Sequence, residues 1–458
     1  MKVQVRSLPL AVGALLLGAV AAQAQTTTRV SVATGGVQAN GESPYSGAKL
    51  SANGQFVAFR SVATNLVGAG NDNNGFSDIF VHDRTTGITT RVSVATGGAE
   101  AVGGNSNNPS ISADGRYVSF SSNATNLAAG DTNGANDVFV HDRVWGTTTL
   151  VSADASGVPG DALSDSSAIS GDGNMVAFRS LATNLVGSPT AGSQIFVRNV
   201  ALGTTTLVSV GATGLGYYGN GESGLAQVTI SADGNVVGFS SVASNLVASD
   251  TNGTVRDVFV RNLALGATTL VSKSTSGLQG MSTSYSSALS ADGRYVAFAS
   301  RNNFVNGDNN NLEDVFVRDT FTNTTIRASV VDSTGAQGNG ASGYSEGWGI
   351  SISANGMRVA FQSLANNLVT KASNGFTDNN NLEDVFLRDI STGKTYLVSK
   401  GIVAGKPGSA NGSSGGLSTC GVSLSADGQT VMFASYASNL VTSDTNNVMD
   451  VFVRGLIL

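Results

Sequence analysis

The sequence of 458 residues has little of the chemistry that enzymes and nucleic-acid-binding proteins use. Its one cysteine, Cys420, cannot form a disulfide within the chain, so stability has to come from packing, hydrogen bonds or bound ions. Two histidines, His82 and His141, are too few for a histidine metal cluster and offer little to a catalytic triad. Charged residues make up 12% of the chain, the net charge is −6, and Lys and Arg form no runs. This balance argues against nucleic acid and anionic membranes as partners.

Glycine, by contrast, is abundant at 58 residues, and the apolar fraction is 41%. Many glycines, few charges and no helical period favour short strands joined by turns. Residues 1–24 predict a secretory signal peptide, with Lys2 and Arg6 before an apolar run and small residues at 22–24. We therefore expect a mature chain that starts at Gln25, carries no transmembrane segment, and is exported to the periplasm or the extracellular medium.

One stretch recurs along the whole chain and is typified by S-A-D-G-R-Y-V-S-F. Its first serine appears seven times, at Ser51, Ser112, Ser170, Ser231, Ser290, Ser353 and Ser425. Each copy predicts four antiparallel strands; in the second copy these are residues 108–112, 116–121, 137–142 and 147–152. Seven such units indicate an all-β, seven-bladed β-propeller that occupies residues 25–458 as a single domain.

The ends of the chain predict how the ring closes. The last unit lacks its fourth strand, whereas residues 27–31 match a fourth strand, 89–93, and precede the first unit. The N-terminal strand should therefore complete the last blade. Fourteen of the 19 phenylalanines occupy two repeat positions, in the second and third strands, which predicts that they pack blade against blade.

The units at 290–298 (S-A-D-G-R-Y-V-A-F) and 314–319 (D-V-F-V-R-D) resemble the WD-type repeat of the TolB-like propellers, a family of bacterial exported proteins. The resemblance covers the mature chain and implies a propeller fold and export. The chain departs from TolB itself in having seven units where TolB has six blades.

The loops between second and third strands carry the pattern D-x-N-x-x-x-D, with one extra residue in the fourth copy. Alternating oxygen ligands are what calcium prefers, which predicts structural calcium in some of these loops. The alternative is turn chemistry, in which Asp and Asn bond their own backbone; the third copy has Ser188, Thr190 and Gln194 instead. The candidate metal residues are Asp72, Asn74, Asp78, Asp131, Asn133, Asp137, Asp250, Asn252, Asp257, Asp308, Asn310, Asp314, Asp378, Asn380, Asp384, Asp444, Asn446 and Asp450.

The loops between blades carry aromatic residues among small polar ones, a composition that suits a sugar or a peptide. The candidate ligand residues are Tyr45, Tyr217, Tyr218, Tyr285, Tyr344 and Trp348. The sequence therefore predicts a non-catalytic propeller that binds a protein or glycan through the face bearing the long loops. The alternative is a carbohydrate-active enzyme, a lyase or glycosidase, with acids such as Glu42 and Glu222 at the channel mouth. A purely structural envelope component is the third possibility.

Overall fold

A computed structural model describes residues 26–44, 47–212, 217–343, 349–371, 377–403, 406–415 and 421–457. These residues form seven four-stranded antiparallel sheets and one separate hairpin, which confirms the seven-bladed propeller. The expected signal peptide lies outside the described residues. Within the part of the chain that the structure describes, no helix is long and apolar enough to cross a membrane.

The strands of each blade follow one another in the sequence. Blade one contains β2 (Ala48–Leu50), β3 (Phe56–Ser61), β4 (Asp78–Asp83) and β5 (Ile88–Arg91). Blade two contains β6 (Ser106–Ile111), β7 (Tyr117–Ser122), β8 (Asp137–Asp142) and β9 (Thr147–Leu150). Blade three contains β10 (Ser164–Ile169), β11 (Met175–Ser180), β12 (Gln194–Asn199) and β13 (Thr204–Leu207). Blade four contains β14 (Thr229–Ile230), β15 (Val236–Ser241), β16 (Asp257–Asn262) and β17 (Ala267–Leu270).

The remaining blades repeat this order until the last one. Blade five contains β18 (Ser284–Leu289), β19 (Tyr295–Ser300), β20 (Asp314–Asp319) and β21 (Thr324–Arg327). Blade six contains β22 (Ile350–Ile352), β23 (Arg358–Ser363), β24 (Asp384–Asp389) and β25 (Lys394–Leu397). A hairpin of β26 (Lys400–Val403) and β27 (Lys406–Ser409) follows. Blade seven contains β28 (Val422–Leu424), β29 (Thr430–Ser435), β30 (Asp450–Gly455) and β1 (Thr27–Arg29).

Blade seven confirms the predicted closure of the ring. Strand β1 pairs antiparallel with β30, with Thr28 opposite Val453. The Ser31 hydroxyl then donates to Asp450 at 2.5 Å, and the Val451 N–H donates to Ser31 Oγ at 3.1 Å. The two ends of the chain are therefore held together inside one sheet.

The S-A-D-G motif is a turn that also links neighbouring blades. In blade two the Ser112 hydroxyl donates to Asp114 at 2.7 Å, the Tyr117 N–H donates to Ser112 Oγ at 2.9 Å, and Gly115 has a φ of +79° that suits glycine. The Ala113 N–H donates to the Gly171 carbonyl of blade three at 2.9 Å. The same bond connects each following pair of blades around to blade one, so the repeated motif has a structural role.

The phenylalanine prediction is also confirmed. The two Phe of a blade lie side by side in its second and third strands, with ring centroids 5.7–6.1 Å apart. Each pair packs against the preceding blade: Phe120 and Phe139 share a buried cluster with Ala58, Ile79 and Val81 of blade one. These contacts form the core between blades.

The innermost strands of all seven blades surround a narrow channel of about 220 Å³. Its walls include one or more residues from every blade, mostly small or aliphatic, together with the polar Lys49 and Gln227. Burial lowers the pKa of Lys49 to about 8. Lys49 is therefore the one charged side chain among the described residues that line the channel.

Candidate functional site

The loops between second and third strands pack directly against the loops between blades. In blade one Asn74 Nδ2 donates to the Ala101 carbonyl at 3.2 Å, and the Ser77 hydroxyl donates to the Ser106 carbonyl at 3.2 Å. Both loop sets therefore lie on the same side of the ring, as the sequence predicted. We call this side the long-loop face.

The asparagine makes the bonds of a turn residue in five of the six acidic loops, whereas in blade four Asn252 Oδ1 is buried and accepts no hydrogen bond from the described residues. In blade six Asn380 Oδ1 accepts from the Leu382 N–H at 2.9 Å, while Asn380 Nδ2 donates to Asp384 at 2.8 Å and to the Ala410 carbonyl at 3.1 Å. The side-chain oxygen of the asparagine therefore accepts a hydrogen bond from the backbone N–H two residues later. Equivalent bonds from the backbone N–H to the Asn oxygen occur at Asn74, Asn133, Asn310 and Asn446.

The last aspartate of the pattern is buried and tied to a serine beyond the fourth strand. In blade two the Ser152 hydroxyl donates to Asp137 at 2.6 Å, and the Val138 N–H donates to Ser152 Oγ at 2.9 Å. In blade three the neutral Gln194 takes the place of this aspartate and accepts from Ser209 at 2.6 Å. This clamp exists with or without a carboxylate, and it supports the turn-chemistry alternative for the last position.

The two aspartates of a loop face a common position, which an arginine or glutamine occupies in four blades. In blade one Arg91 Nη1 lies 3.5 Å from Asp72 Oδ1, 3.4 Å from Asp78 Oδ2 and 2.5 Å from Glu100. In blade five Arg327 Nη1 lies 3.4 Å from Asp308. The equivalent groups are Gln279 in blade four and both Arg29 and Gln38 in blade seven.

Blade one also contains a cluster of three acidic side chains. One carboxylate oxygen from each of Asp72, Asp78 and Glu100 lies within 4.8 Å of the other two, close enough to share one ion. Burial, and then the charge of Asp78, raise the pKa of Asp72 to about 6 despite the opposing charge of Arg91. Arg91 already supplies a positive charge to this cluster.

Blades two and six have the aspartate pair without an arginine or glutamine beside it. Leu150 and Pro159 take those two positions in blade two, and Leu397 and Ser409 take them in blade six. Burial, and then the charge of Asp378, raise the pKa of Asp384 to about 8. The calcium prediction stays a prediction for all six loops, but their carboxylates differ in how their charge is offset.

The predicted ligand residues fall into three groups. Tyr217 is 52% exposed and, with Tyr218, Asn220, Glu222 and neighbouring residues, lines a cavity of about 630 Å³ on the long-loop face. Tyr285 is 8% exposed and contributes to a second groove. Tyr45, Tyr344 and Trp348 lie outside the described residues.

The second groove lies between blades four and five and has a volume of about 740 Å³. Arg256, Arg301 and Glu313 line it with Tyr285, and Arg301 Nε donates to Glu313 at 2.6 Å. The sequence pattern did not reveal these two arginines or the position of Arg91 between the aspartates. The recurrence of Arg29, Arg91 and Arg327 at the ends of fourth strands was the available signal for the latter.

The two histidines have no catalytic setting. Each is 6% exposed, and each ring Nδ1 pairs with a threonine hydroxyl, His82 with Thr89 at 2.8 Å and His141 with Thr148 at 2.9 Å. Burial lowers the pKa of His141 to about 4, so the ring is neutral at pH 7. In blade three Arg198 donates a hydrogen bond to the equivalent threonine, Thr205. The two histidines therefore occupy the structural position of this arginine, but they are uncharged.

The acids of the enzymatic alternative lie on different blades. Glu42 accepts from the Tyr436 hydroxyl at 2.9 Å, beside blade seven, while Glu222 lines the cavity with Tyr217. Each carboxylate therefore belongs to a different local surface of the long-loop face.

No protein-family model and no curated protein sequence matches this chain. Among solved structures, an oligogalacturonate lyase in complex with manganese is 11% identical, with 95% of this chain and 94% of that chain covered and a TM-score of 0.52. The β-propeller domain of the Trilobed protease from Pyrococcus furiosus is 10% identical, with 90% and 93% covered and a TM-score of 0.47. TolB from Acinetobacter baumannii is 12% identical, with 76% and 77% covered and a TM-score of 0.38. The likeness to the lyase shows the propeller fold alone.

Proposed function

We propose that this chain is an exported, non-catalytic β-propeller that binds a partner through its long-loop face. The observation that carries the proposal is the cavity at Tyr217. It combines an exposed aromatic ring with the polar groups of Asn220 and Glu222. Its volume of about 630 Å³ falls within the range of roughly 300–1,000 Å³ of small-molecule sites.

As a ligand for this cavity, a glycan is a better fit than a protein partner with a flat surface. A sugar presents an apolar ring face, which stacks on an aromatic side chain, and hydroxyls, which bond to amides and carboxylates. Tyr218 is partly buried and packs against the blade-three core, which supports the position of Tyr217. A protein partner that inserts a polar side chain into the cavity would use the same groups.

The ring of blades holds the loops of this site in a fixed arrangement. The long loops are anchored to one another and to the blades by buried Asp–Ser clamps and by the bonds of the asparagines. We propose that a divalent cation, calcium being the expected one, completes this anchoring in some of the acidic loops. Export would place the protein where such ions reach millimolar concentrations.

A glycan array combined with a reducing-end assay tests the proposal. We expect binding of the purified chain to one class of glycan, with no release of reducing ends. Turnover of a bound polysaccharide would instead support the carbohydrate-active alternative. Absence of both binding and turnover would favour the third possibility, a structural component of the envelope.

A matched pair of variants then localises the site. Tyr217→Ala removes the exposed ring of the cavity, whereas Trp145→Ala removes a still more exposed aromatic residue, 74% accessible, from a turn between third and fourth strands. The proposal requires loss of binding in the first variant and full binding in the second.

A further inference from the structure

Four blades place a nitrogen group between the two aspartates of their acidic loops. The atoms involved are always Oδ1 of the first aspartate and Oδ2 of the last. Gln279 Nε2 donates to these oxygens of Asp250 and Asp257 at 2.9 and 2.8 Å. Arg91 and Arg327 approach their aspartate pairs in blades one and five at 3.4–3.6 Å. The fold therefore has a defined position for a nitrogen donor in each of these loops, which a cationic arginine fills in blades one and five and a neutral amide fills in blade four.

Blade six has the same aspartate pair but neither nitrogen group. Asp378 is 5% exposed and Asp384 is fully buried, while Leu397 and Ser409 occupy the positions of the arginine and the glutamine. Asp378 Oδ1, the oxygen that faces the nitrogen group in other blades, is buried and accepts no hydrogen bond from the described residues. The Ser409 hydroxyl donates to Asn379 at 3.3 Å. Burial raises the pKa of Asp378, and hydrogen bonds from the Asn380 N–H and from Ser409 oppose this increase only in part.

The charge of this pair has to be compensated in another way. A carboxylate removed from water without a partner costs several kcal/mol, so it either binds a proton or binds a cation. Glu383, which is 2% exposed and whose two oxygens also lack partners among the described residues, adds a third buried carboxyl group to the same loop. Blade six therefore has three buried carboxyl groups in one loop and neither the arginine nor the glutamine that contacts the aspartate pair in other blades.

We propose that Asp378 and Asp384 bind a divalent, oxygen-preferring metal ion, which takes the place that arginine or glutamine holds in the other blades. Hard cations such as Ca²⁺ prefer carboxylate oxygens and complete their shells with carbonyls and water. The amide of Asn380 stays engaged with Asp384 and with the backbone, so the two carboxylates are the main protein ligands.

Blade two is the natural comparison. It also lacks the arginine and the glutamine, but Asp131 is partly exposed, whereas Asp378 of blade six is buried. We therefore confine the proposal to blade six. The inference rests on the part of the proposed function that assigns a cation to the acidic loops, and it is independent of the partner.

Two variants of blade six test the site in opposite ways. Asp378→Asn removes a ligand, while Ser409→Gln introduces the side chain that bridges the aspartates in blade four. Both should abolish the binding of calcium measured by isothermal titration calorimetry on chelator-treated protein. Ser409→Gln should melt in chelator at or above the temperature of the wild type, because the new amide donates hydrogen bonds to both carboxylates, as Gln279 does in blade four.

The wild type should bind one calcium ion per chain and melt at a higher temperature in millimolar calcium than in chelator. Asp131→Asn, the matched change in blade two, should keep both properties. Lack of calcium binding by the wild type, binding that survives in both blade-six variants, or binding that Asp131→Asn abolishes would each overturn the proposal. These measurements contain no glycan. A negative result for calcium would therefore not bear on the proposed glycan binding, which the glycan array tests separately.

Discussion

Replacing Arg91 by leucine should leave the aspartate pair of blade one without its arginine, as in blade six, although Glu100 stays in the place of Ser409. Arg91 is 10% exposed and contacts three carboxylates, those of Asp72, Asp78 and Glu100, at 2.5–3.5 Å. Leucine is accommodated at this position, since Leu397 holds it in blade six without exposure. The substitution therefore removes a charge with little change in packing.

The expected cost follows from the burial of the carboxylates that remain. Removal of one partner from a buried ion pair costs about 3–5 kcal/mol. Burial already raises the pKa of Asp72 to about 6, and loss of the Arg91 charge, which lowers that pKa, should raise it further. A carboxyl group with a raised folded-state pKa stabilises the fold most below its unfolded pKa and loses that contribution as pH rises through the folded value. The destabilisation should therefore be largest at pH 8 and smaller at pH 5.

Urea unfolding of the variant and the wild type at both pH values measures this effect. At pH 8 we expect the variant to lose about 3–5 kcal/mol in chelator and to recover part of this loss in calcium. A calcium concentration ten times the dissociation constant would restore about 1.4 kcal/mol. A loss below about 1 kcal/mol, or an equal loss at pH 5 and pH 8, would refute the view that Arg91 acts as the internal cation of this loop.

Three further predictions concern the blades themselves. Phe316→Ala, in the core between blades, should lower the free energy of unfolding by about 3–5 kcal/mol, whereas Phe321→Ala, 80% exposed in the same blade, should change it by less than about 0.5 kcal/mol in urea unfolding. His141, with its pKa lowered to about 4, should cost roughly 3 kcal/mol of stability as pH falls from 6.5 to 4, a loss that His141→Arg should remove from melting curves across that range. Ser31→Ala should cost about 1–3 kcal/mol in urea unfolding, because it removes the hydroxyl that donates to Oδ1 of buried Asp450 where the ring closes and leaves Gln38 as the donor to Oδ2.

The architecture was predictable because it is repeated. Seven copies of one turn motif and two phenylalanine positions per copy specify a ring of similar blades, and the match between residues 27–31 and 89–93 specified its closure. Each of these features depends on local turn chemistry and on burial of large apolar side chains, which a sequence pattern expresses directly.

The contacts within the acidic loops were harder to predict from the sequence. The spacing of Asp and Asn identifies the loops, but it does not tell that the oxygen of Asn380 accepts a backbone N–H, or that Arg91 reaches across from the fourth strand. These contacts join segments that are distant in the repeat. They distinguish blades in which an arginine or glutamine contacts the aspartate pair from blades in which no such group does. Likewise, the sequence placed Tyr217 and Tyr285 together as candidates, although one is exposed and the other is buried.

The most direct test of the binding function compares the two faces of the ring. The affinity of the purified chain for the glycan that it selects on an array should be measured by calorimetry for the wild type, Tyr217→Ala and Trp145→Ala. The account predicts that Tyr217→Ala loses binding while Trp145→Ala retains it with an unchanged dissociation constant. Unchanged binding by Tyr217→Ala, or loss of binding by Trp145→Ala, would contradict the assignment of the long-loop face as the recognition surface.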